Sequence, residues 1–391
     1  MKKRTVAVIL FSLFVICCTT RLYSQDSDGK LNAIQTVVPF LTIAPDSRAG
    51  GMGDAGVATT PDTYSMHWNP AKFAFIDGKG GVGISYSPWL RNLVPDINIA
   101  YLTGYYRIDN KQVASASLLY SSLGDVPFTD DFGNLERTFK PNELAFDLGY
   151  SRIFAENFSG GIAFRFIYSN LTGGSYAGGA ATKPGISFAA DISGYYQKDI
   201  TIFNKDALLG FGLNFSNIGS KMSYSDAQTS DFIPMNMRLG SAGTINLDNF
   251  NKLTLTLDLN KLLVPTPPIY NTDMEIIDGK DPNVSVPIAF FQSFFDAPGG
   301  FKEELREITL SFGAEYWYNN QFAIRAGYFH ENETKGNRKY FTTGAGFRMK
   351  GFTIDFSYLM PLVQNHPLAR TLRFSLAFDV SALNKVSPSS N

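Results

Sequence analysis

Three residues near the N-terminus have the chemical types of a hydrolase active site: Asp62, Ser65 and His67. A serine becomes a nucleophile when a histidine takes its proton and a carboxylate orients that histidine, but a triad is defined by geometry and not by nearness in sequence. Neighbours within a glycine-rich segment seldom reach that geometry. Two further histidines, His330 and His366, have no metal-ligand spacing to each other. The sequence therefore predicts neither catalytic residues nor a metal or other cofactor.

Four glycines in the same segment invite comparison with a phosphate-binding loop. Such a loop requires a strand before it and a helix after it in a βαβ unit, and neither is evident around residues 47–75. Three aspartates within residues 125–131 could offer oxygen ligands to calcium, but their spacing is irregular, so solvated loop charges are the favoured interpretation. The four glycines are Gly50, Gly51, Gly53 and Gly56.

The overall composition argues against one class of partner and favours one architecture. A formal net charge of −1 over 391 residues gives no electrostatic reason to expect a nucleic-acid partner. The chain has 33 phenylalanines, 19 tyrosines and 35 glycines, and only 18% of its residues are charged. Aromatic rings anchor a membrane barrel at its interfaces and glycine relieves strand curvature, so this composition suits a transmembrane β-barrel.

Residues 1–24 have the pattern of a cleaved secretory signal peptide. A basic start at residues 2–4 precedes an apolar stretch from Val6 to Cys18, and Ser24 offers a small residue for cleavage. The stretch is short for a membrane anchor, and the residues before the cysteines are bulky where a lipoprotein signal has small ones. Both cysteines of the chain lie in this segment, so we expect an exported chain without disulfides or thiol chemistry.

The remainder of the chain alternates apolar with small or polar residues, as the segment 143–152 illustrates. Leu144 and Phe146 point to one face of a strand there, while Glu143 and Asp147 point to the other. Strands of about ten residues with such alternation cross a bilayer at a tilt. Repeated along the chain, the pattern predicts an all-β protein, a 14-stranded antiparallel transmembrane β-barrel in the outer membrane.

The predicted strands divide the chain into three further parts after the signal peptide. These are an N-terminal plug or hatch at 25–79, the barrel at 80–380 and a periplasmic tail at 381–391. Short turns alternate with long loops rich in glycine and proline, as expected for periplasmic turns and outer loops, and one turn around Lys198 to Asp206 is predicted to be longer. We place the strands at 80–87, 96–107, 111–121, 143–152, 158–169, 185–197, 207–217, 235–247, 251–260, 307–318, 322–330, 340–350, 352–359 and 371–380.

The inward face of these strands carries charges of both signs in near balance. Such charges tend to pair across a narrow lumen because an unpaired buried charge is costly, although the eyelet of a wide porin could have a similar sequence. A barrel of fourteen strands is expected to need a plug, which the N-terminal residues can supply. The predicted inward charges are Glu143, Asp147, Arg165, Asp191, Arg238, Lys252, Asp258, Glu315, Arg325, Arg348, Asp355, Arg373 and Asp379.

A cluster of phenylalanines in the longest outer loop, 261–306, is a predicted partner-binding surface. Its members are Phe290, Phe291, Phe294 and Phe295. Four such side chains would be costly to leave in water, and exposed apolar patches often mark interfaces. The alternative is that they cap the barrel mouth or pack on neighbouring loops.

The first outer loop offers a second and smaller candidate surface, formed by Trp89, Leu90 and Arg91. Tryptophan and arginine are favoured as anchors of protein interfaces. Trp89 is equally suited to the belt of aromatic residues at a membrane interface, so both interpretations stay open.

The most specific motif of the chain lies within residues 45–71. From Arg48 it reads Arg-Ala-Gly-Gly-Met-Gly-Asp-Ala-Gly, and Trp68-Asn69-Pro70-Ala71 follows. This segment resembles the N-terminal hatch of the FadL-like barrels, the superfamily of long-chain fatty-acid transporters. Together with Pro45-Asp46-Ser47-Arg48, it is most similar to the PorV family of the type IX secretion system. The motif residues taken as plug residues are Gly50, Gly51, Gly53, Asn69 and Pro70.

The resemblance implies a non-enzymatic role in protein secretion. PorV-like proteins sit beside the very large translocon barrel, receive folded cargo through its C-terminal signal domain and carry it to a cell-surface attachment complex. The implied partners are that translocon barrel, the cargo C-terminal domains, the attachment complex and outer-membrane lipid or lipopolysaccharide. The chain departs from many barrels at its end, because Phe378 is followed by a tail to Asn391 rather than being the terminal aromatic residue.

Two other functions stay open at the level of sequence. A transporter of hydrophobic small molecules, which is the activity of the wider superfamily, needs a continuous apolar path beneath the hatch, whereas a cargo shuttle can have a sealed lumen. A deacylase of lipid A or lipopolysaccharide would lose lipid turnover when His67 is replaced, without any disturbance of secretion. No feature of the sequence positively supports the deacylase.

Overall fold

The structure is a computed structural model that describes residues 31–380 apart from 92–93, 95, 130–131, 175, 178–179, 227–229 and 364–365. The predicted signal peptide and the predicted periplasmic tail lie outside the described residues, as does the beginning of the predicted plug. Within the described part of the chain, no helix has both the length and the apolar character needed to cross a bilayer.

The described residues form mostly strands, with a few short helices. The strands are β1 (Gly80–Pro88), β2 (Ile97–Arg107), β3 (Gln112–Leu123), β4 (Val126–Thr129), β5 (Leu135–Phe139), β6 (Asn142–Ala155), β7 (Phe158–Asn170), β8 (Tyr176–Ala177), β9 (Ala180–Ala181), β10 (Gly185–Ile202), β11 (Lys205–Gly219), β12 (Asn236–Asn246), β13 (Asn251–Leu262), β14 (Ile269–Tyr270), β15 (Ile276–Asp278), β16 (Thr309–Tyr318), β17 (Phe322–His330), β18 (Lys339–Met349), β19 (Phe352–Pro361) and β20 (Leu372–Asp379). The α-helices are α1 (Ser47–Gly50), α2 (Ser65–Trp68), α3 (Val286–Gln292) and α4 (Phe301–Arg306), and the 3₁₀ helices are Pro39–Thr42, Pro70–Phe75 and Glu333–Lys335.

Fourteen of these strands close into one antiparallel barrel, which confirms the predicted fold. Consecutive barrel strands pair with each other, and β1 pairs with β20 from Tyr86 opposite Phe374 to Gly81 opposite Asp379. The remaining strands form three two-stranded hairpins, β4–β5, β8–β9 and β14–β15, inside the connections between barrel strands. Closure removes free sheet edges, so every barrel strand has two neighbours for its backbone hydrogen bonds.

The connections alternate in length, as the sequence predicted. Those at one end, the short-turn end, have two to four residues, and those at the other, the long-loop end, have eight to 46. Two of the three two-residue turns have positive φ at both positions, for example Phe203 (53°) and Asn204 (59°), which is the geometry of a type I′ hairpin turn. Short turns of this kind belong on the periplasmic side of an outer-membrane barrel.

The prediction of a longer turn around Lys198 to Asp206 was wrong. Strand β10 continues to Ile202 and β11 begins at Lys205, so that only two residues separate them. The exposed charges Lys198 and Asp199 suggested a loop, yet they pair in register with Leu209 and Leu208. Charged side chains are tolerated there because these strands extend beyond the apolar band of the barrel.

The alternation of buried and exposed residues follows the predicted faces. In β6, Glu143 and Asp147 are buried, whereas Phe146 and Leu148 are exposed on the outside. The predicted inward charges all lie on the inward-facing positions of their strands, and ten of the thirteen are buried. The other three, Lys252, Arg348 and Asp379, lie at the short-turn end, where the lumen opens.

Residues 32–79, which we call the N-terminal segment, bind to inward-facing groups on several sides of the barrel. The amide of Ser47 donates to Oγ of Ser375 on β20 (2.8 Å), and the amide of Gly53 donates to Oγ1 of Thr342 on β18 (2.8 Å). Nearly all residues from 44 to 76 are buried. The inward faces of the strands therefore hold the segment by hydrogen bonds rather than by apolar packing alone.

Candidate functional site

One network of ion pairs joins the N-terminal segment to the barrel wall. The guanidinium of Arg48 binds both carboxylate oxygens of Glu315 on β16, at 3.0 and 2.8 Å, and binds Asp62 at 2.8 Å. Glu315 also accepts from Arg325 on β17 (2.7 Å), which in turn binds Asp355 on β19 (2.7 Å). Apart from Asp62, which is half-buried, these groups are buried, and all of them are paired, which is the condition under which charges are tolerated away from water.

Asp258 on β13 makes a further connection between the wall and the segment. One of its carboxylate oxygens accepts from the backbone amides of Gly56 (2.7 Å) and Val57 (2.9 Å). Close by, the ammonium of Lys72 donates to the carbonyl of Gly56 (2.7 Å) and to Thr59 (3.1 Å). Burial lowers the pKa of Lys72 to about 8, against the opposing attraction of Asp62. These polar groups of the segment thus find their partners within the protein.

The predicted plug residues have structural roles in this segment. Gly53 has a φ of +70°, and its backbone lies against that of Tyr328 so closely that a Cβ would fall 2.7 Å from the Tyr328 nitrogen. Asn69 caps the 3₁₀ helix that begins at Pro70, because its Oδ1 accepts from the Ala71 amide (3.1 Å). Its Nδ2 donates to the carbonyl of Gly194 on β10 (3.0 Å).

Gly50 and Gly51 also lie close to the barrel wall, Gly50 more closely than Gly51. A Cβ at Gly50 would lie 2.7 Å from Nη1 of Arg373, and one at Gly51 would lie 3.2 Å from the Cα of Gly344. The glycines are therefore needed for close approach of the segment to the barrel wall. A phosphate-loop role is not required to explain them.

The hydrolase-like trio does not form a proton relay. Ser65 and Asp62 bond to each other, with Oγ of Ser65 donating to Oδ1 of Asp62 at 3.2 Å, while Asp62 is engaged by Arg48. The ring of His67 packs instead against Trp68, with centroids 4.9 Å apart. Burial holds the pKa of His67 well below its ordinary value, so the ring is neutral. The Nε2 atom of His67 is buried and has no hydrogen-bond partner among the described residues.

A cavity of about 300 Å³ lies between the N-terminal segment and strands β12, β13 and β16–β18, towards the long-loop end. One wall is apolar and aromatic. The rings of Phe329 and Tyr340 stack there with centroids 4.7 Å apart, and Trp89 and Leu368 complete the same cluster. This combination of apolar surface with a few polar groups is the usual character of a binding cavity.

The charged groups around this cavity are mostly paired. Arg338 binds Glu331 through two bonds of 2.8 and 2.7 Å, and Lys335 binds Glu307 at 2.9 Å. Arg238 is the exception. Its Nη1 donates to the carbonyl of His67 (2.8 Å), yet within the part of the chain described no carboxylate oxygen lies within 4.0 Å of its guanidinium.

Arg238 therefore gives the floor of the cavity its electrostatic character. The side chain is only 5% exposed, lines the cavity and lies with Cζ 5.2 Å from the ring centre of Trp68. Trp68 is itself held by a bond of 2.6 Å from its Nε1 to Asp46. Burial raises the pKa of Asp46 to about 6, with repulsion from Asp62 adding to the effect. Guanidinium N–H groups that face a cavity can bind a carbonyl or carboxylate of a partner.

The structure places the smaller predicted surface, that of the first outer loop, at this cavity. Trp89 lines it, and the guanidinium of Arg373 lies 5.7 Å from the centre of the Trp89 ring. Leu90 packs on the same cluster, while Arg91 is exposed. The interpretation of Trp89 as a membrane-belt residue was wrong, because its ring lies in one cluster with the inward-facing residues Phe329 and Tyr340.

The structure places the four predicted phenylalanines away from the cavity, on helix α3 and the turn after it. Phe290 and Phe294 are partly buried in a cluster with Met235, whereas Phe291 and Phe295 remain 69% and 75% exposed. Of the two alternatives to partner binding, packing on neighbouring loops describes Phe290 and Phe294, whose cluster includes Phe232 of another outer loop. Phe290 does not cap the barrel mouth, because it packs against Phe215 on an outward-facing position of β11. Partner binding by Phe291 and Phe295 stays a prediction.

Sequence reasoning missed several residues that line the cavity, namely Phe329, Arg338, Tyr340 and Leu368. Phe329 and Tyr340 occupy inward positions at the long-loop ends of β17 and β18, which is a signal that the sequence contains. Arg238 was recognised as inward, but its lack of a carboxylate partner depends on how distant strands meet. That information is not present in any local pattern.

The chain is similar, at low sequence identity, to several solved structures. The toluene transporter TodX of Pseudomonas putida is 12% identical with a TM-score of 0.49, over 89% of this chain and 98% of that one. The toluene transporter TbuX of Ralstonia pickettii is 13% identical with a TM-score of 0.44, over 86% and 97%. A FadL homologue of Pseudomonas aeruginosa is 12% identical with a TM-score of 0.43, over 90% and 100%.

No curated protein sequence matches the chain. The family model described as "Type IX secretion system protein PorV" matches residues 25–269, which is more than half of the 391 residues. A closed barrel with an apolar outer band is the architecture of an integral outer-membrane protein, and this protein is one. By the extent of the match, the chain belongs to the PorV family of type IX secretion system proteins.

Proposed function

We propose that this outer-membrane component of type IX secretion binds the C-terminal signal domains of translocated cargo and carries them from the translocon barrel to the cell-surface attachment complex. Membership of the PorV family supports a place in this secretion system. The observation that carries the binding role is the cavity at the long-loop mouth, with its aromatic wall and the buried guanidinium of Arg238 on its floor. Its work would be reversible binding, without a chemical step.

The size of the cavity defines what it can hold. About 300 Å³ accepts one or two side chains, not a domain. We infer that a protruding group of the cargo domain enters the cavity as an anchor, while the surrounding outer loops contact the rest of its surface. Binding energy in protein interfaces is concentrated in such anchors, which usually fill a desolvated pocket.

We further propose that the N-terminal segment acts as a plug, and this distinguishes the shuttle from a transporter. A transporter of hydrophobic molecules would need an apolar path past residues 44–76. The pairs of Arg48 with Glu315 and of Asp258 with the Gly56 amide cross that path. Moving an apolar solute through would require separation of buried charges, which is costly.

Replacing Trp89 by alanine is expected to weaken binding of a cargo C-terminal domain by roughly tenfold or more, since truncation of an anchoring aromatic typically costs about 2 kcal/mol. The change removes one ring of the aromatic wall while leaving Phe329 and Tyr340 in place. The measurement is the dissociation constant of a purified cargo domain with the detergent-solubilised protein.

The matched control is Phe132→Ala, because Phe132 is an exposed aromatic residue in a different outer loop. Equal affinities for the Trp89 and Phe132 variants would contradict the assignment of the cavity as the cargo site. The urea midpoint of each variant shows whether loss of binding reflects loss of folding.

The function as a whole is tested by purification of a tagged copy from its own outer membrane in mild detergent, followed by mass spectrometry of the associated molecules. Recovery of a very large barrel, or of secreted proteins that share a C-terminal domain, is the expected result. Recovery of the barrel alone with a stoichiometric fatty acid or other apolar ligand would make the protein a transporter and contradict the shuttle.

A further inference from the structure

Part of the longest outer loop, residues 263–308, lies against the outside of the barrel wall. Phe215, Met237 and Lys261 are neighbours across β11, β12 and β13, and they alternate with the inward residues Asn214 and Arg238. They therefore form one row on the outward face, at the long-loop ends of their strands.

All three residues of this row are covered by the loop. The rings of Phe215 and Phe290 have centroids 5.6 Å apart, and Met237 packs on the same cluster. Lys261 is buried because its ammonium binds Glu304 of helix α4 at 2.9 Å and Glu307 at 2.6 Å. Apolar packing fixes helix α3 to the outer wall, and a buried ion-pair cluster fixes helix α4 beside it.

The next outward-facing row towards the short-turn end belongs to the lipid-facing band. Leu213 pairs with Leu239, which pairs with Leu259, and the first two are exposed. The two rows are separated by two residues along each strand, which corresponds to about 7 Å. Helix α3 thus lies directly above the apolar band, at the height where the outer leaflet meets the barrel.

The free side of the loop is apolar as well. Ile288 and Phe291 lie three residues apart on helix α3, Phe295 follows in the turn after it, and all three are exposed. Residues 284–295 contain no charged side chain. On helix α4, Phe301 and Leu305 are four residues apart and are likewise exposed. A helix surface of this kind is typical of elements that lie in a membrane interface.

We propose that helix α3 and the turn after it lie in the outer leaflet of the membrane, with Phe291 and Phe295 in contact with lipid acyl chains. The apolar surface of the helix is continuous with the lipid-facing band through Leu213 and Leu239. The acyl chains that surround the band would therefore also contact the helix. This anchor goes beyond the proposed function. It fixes the longest outer loop at the membrane surface beside the cavity mouth, and it needs no cargo.

The test uses single tryptophan substitutions, Phe291→Trp and Phe295→Trp, in the full-length protein reconstituted in phosphatidylcholine vesicles with and without brominated phosphatidylcholine. Bromine quenches tryptophan on contact, and the emission of the unsubstituted protein is subtracted to remove Trp68, Trp89 and Trp317. We expect brominated lipid to reduce the added emission at least twofold at both positions. The control, Phe132→Trp, introduces tryptophan into another outer loop and is expected to change little.

Emission that brominated lipid leaves unchanged at both positions would overturn the proposal. A change in the added tryptophan emission that occurs only after addition of the purified translocon barrel would also overturn the proposal, because the surface would then bind a protein. The exposed sites tolerate a larger ring, and heat-dependent gel mobility verifies that each barrel is folded. Since the experiment contains no cargo, its result is independent of whether the shuttle function holds.

Discussion

Replacing Glu315 by glutamine is expected to lower the free energy of unfolding by about 3–5 kcal/mol, the usual cost of removing one partner from a buried ion pair. Glu315 accepts hydrogen bonds from both Arg48 and Arg325, and its side chain is only 1% exposed. Glutamine has nearly the same shape but no charge, and its amide group would donate towards one of the two guanidinium groups. Two buried cations would then share a single carbonyl oxygen.

The measurement is the urea midpoint of the detergent-solubilised barrel, together with the rate of tryptic cleavage after Arg48. The midpoint should fall and the cleavage rate should rise, because Glu315 joins the N-terminal segment to the barrel wall. Glu136→Gln is the matched control, since it makes the same chemical change at an exposed position of strand β5. Identical midpoints for the two variants would show that the segment is not held by this network.

Replacing Gly327 by alanine is expected to displace the N-terminal segment at a cost of about 1–3 kcal/mol, the range for overpacking a close contact. A methyl group at Gly327 would overlap the backbone of Gly53 and of Met52. Backbone atoms lie on both sides of this contact, so no flexible side chain can move aside. Gly53 in particular cannot shift freely, because its φ of +70° is fixed by the tight passage along Tyr328.

Tryptic cleavage after Arg48 again reports on the segment, and the expected increase is roughly tenfold to a hundredfold at about 1.4 kcal/mol per factor of ten. If the segment is a plug, its displacement opens the lumen, and the conductance of planar bilayers that contain the Gly327→Ala variant should rise as well. Gly243→Ala serves as control, because a methyl group at Gly243 of strand β12 has no atom within 4 Å. Cleavage at the same rate in both variants would refute a tightly packed segment.

Period-two alternation carried most of the fold prediction. Each barrel strand separates two environments, so the faces of a strand such as β6 could be assigned from Glu143, Phe146 and Asp147 alone. The number of alternating segments predicted the number of strands, and the loop lengths then distinguished the two ends of the barrel. The predicted end of the strand before Lys198 was wrong for a local reason. A charged strand end outside the membrane has the sequence of a loop, and only its pairing with the next strand distinguishes the two.

The site was predictable only in part. Trp89 was identified by its residue type, but its place at the cavity depends on how the first outer loop folds. Phe290 and Phe291 are adjacent in sequence, yet one is packed on the barrel wall and the other is exposed. Neighbouring helical residues face different directions, and only the position of helix α3 decides which of them faces the barrel wall and which is exposed.

The sequence by itself determined the architecture, the inward position of the charges and the family motif in the N-terminal segment. These follow from patterns that each strand or short segment contains within itself. The tertiary structure alone decided that Glu315 pairs with Arg48, that Arg238 faces a cavity without a carboxylate partner, and that loop 263–308 lies against the outer wall. Such contacts join residues far apart in the chain, and their geometry is fixed only when the barrel closes around the segment.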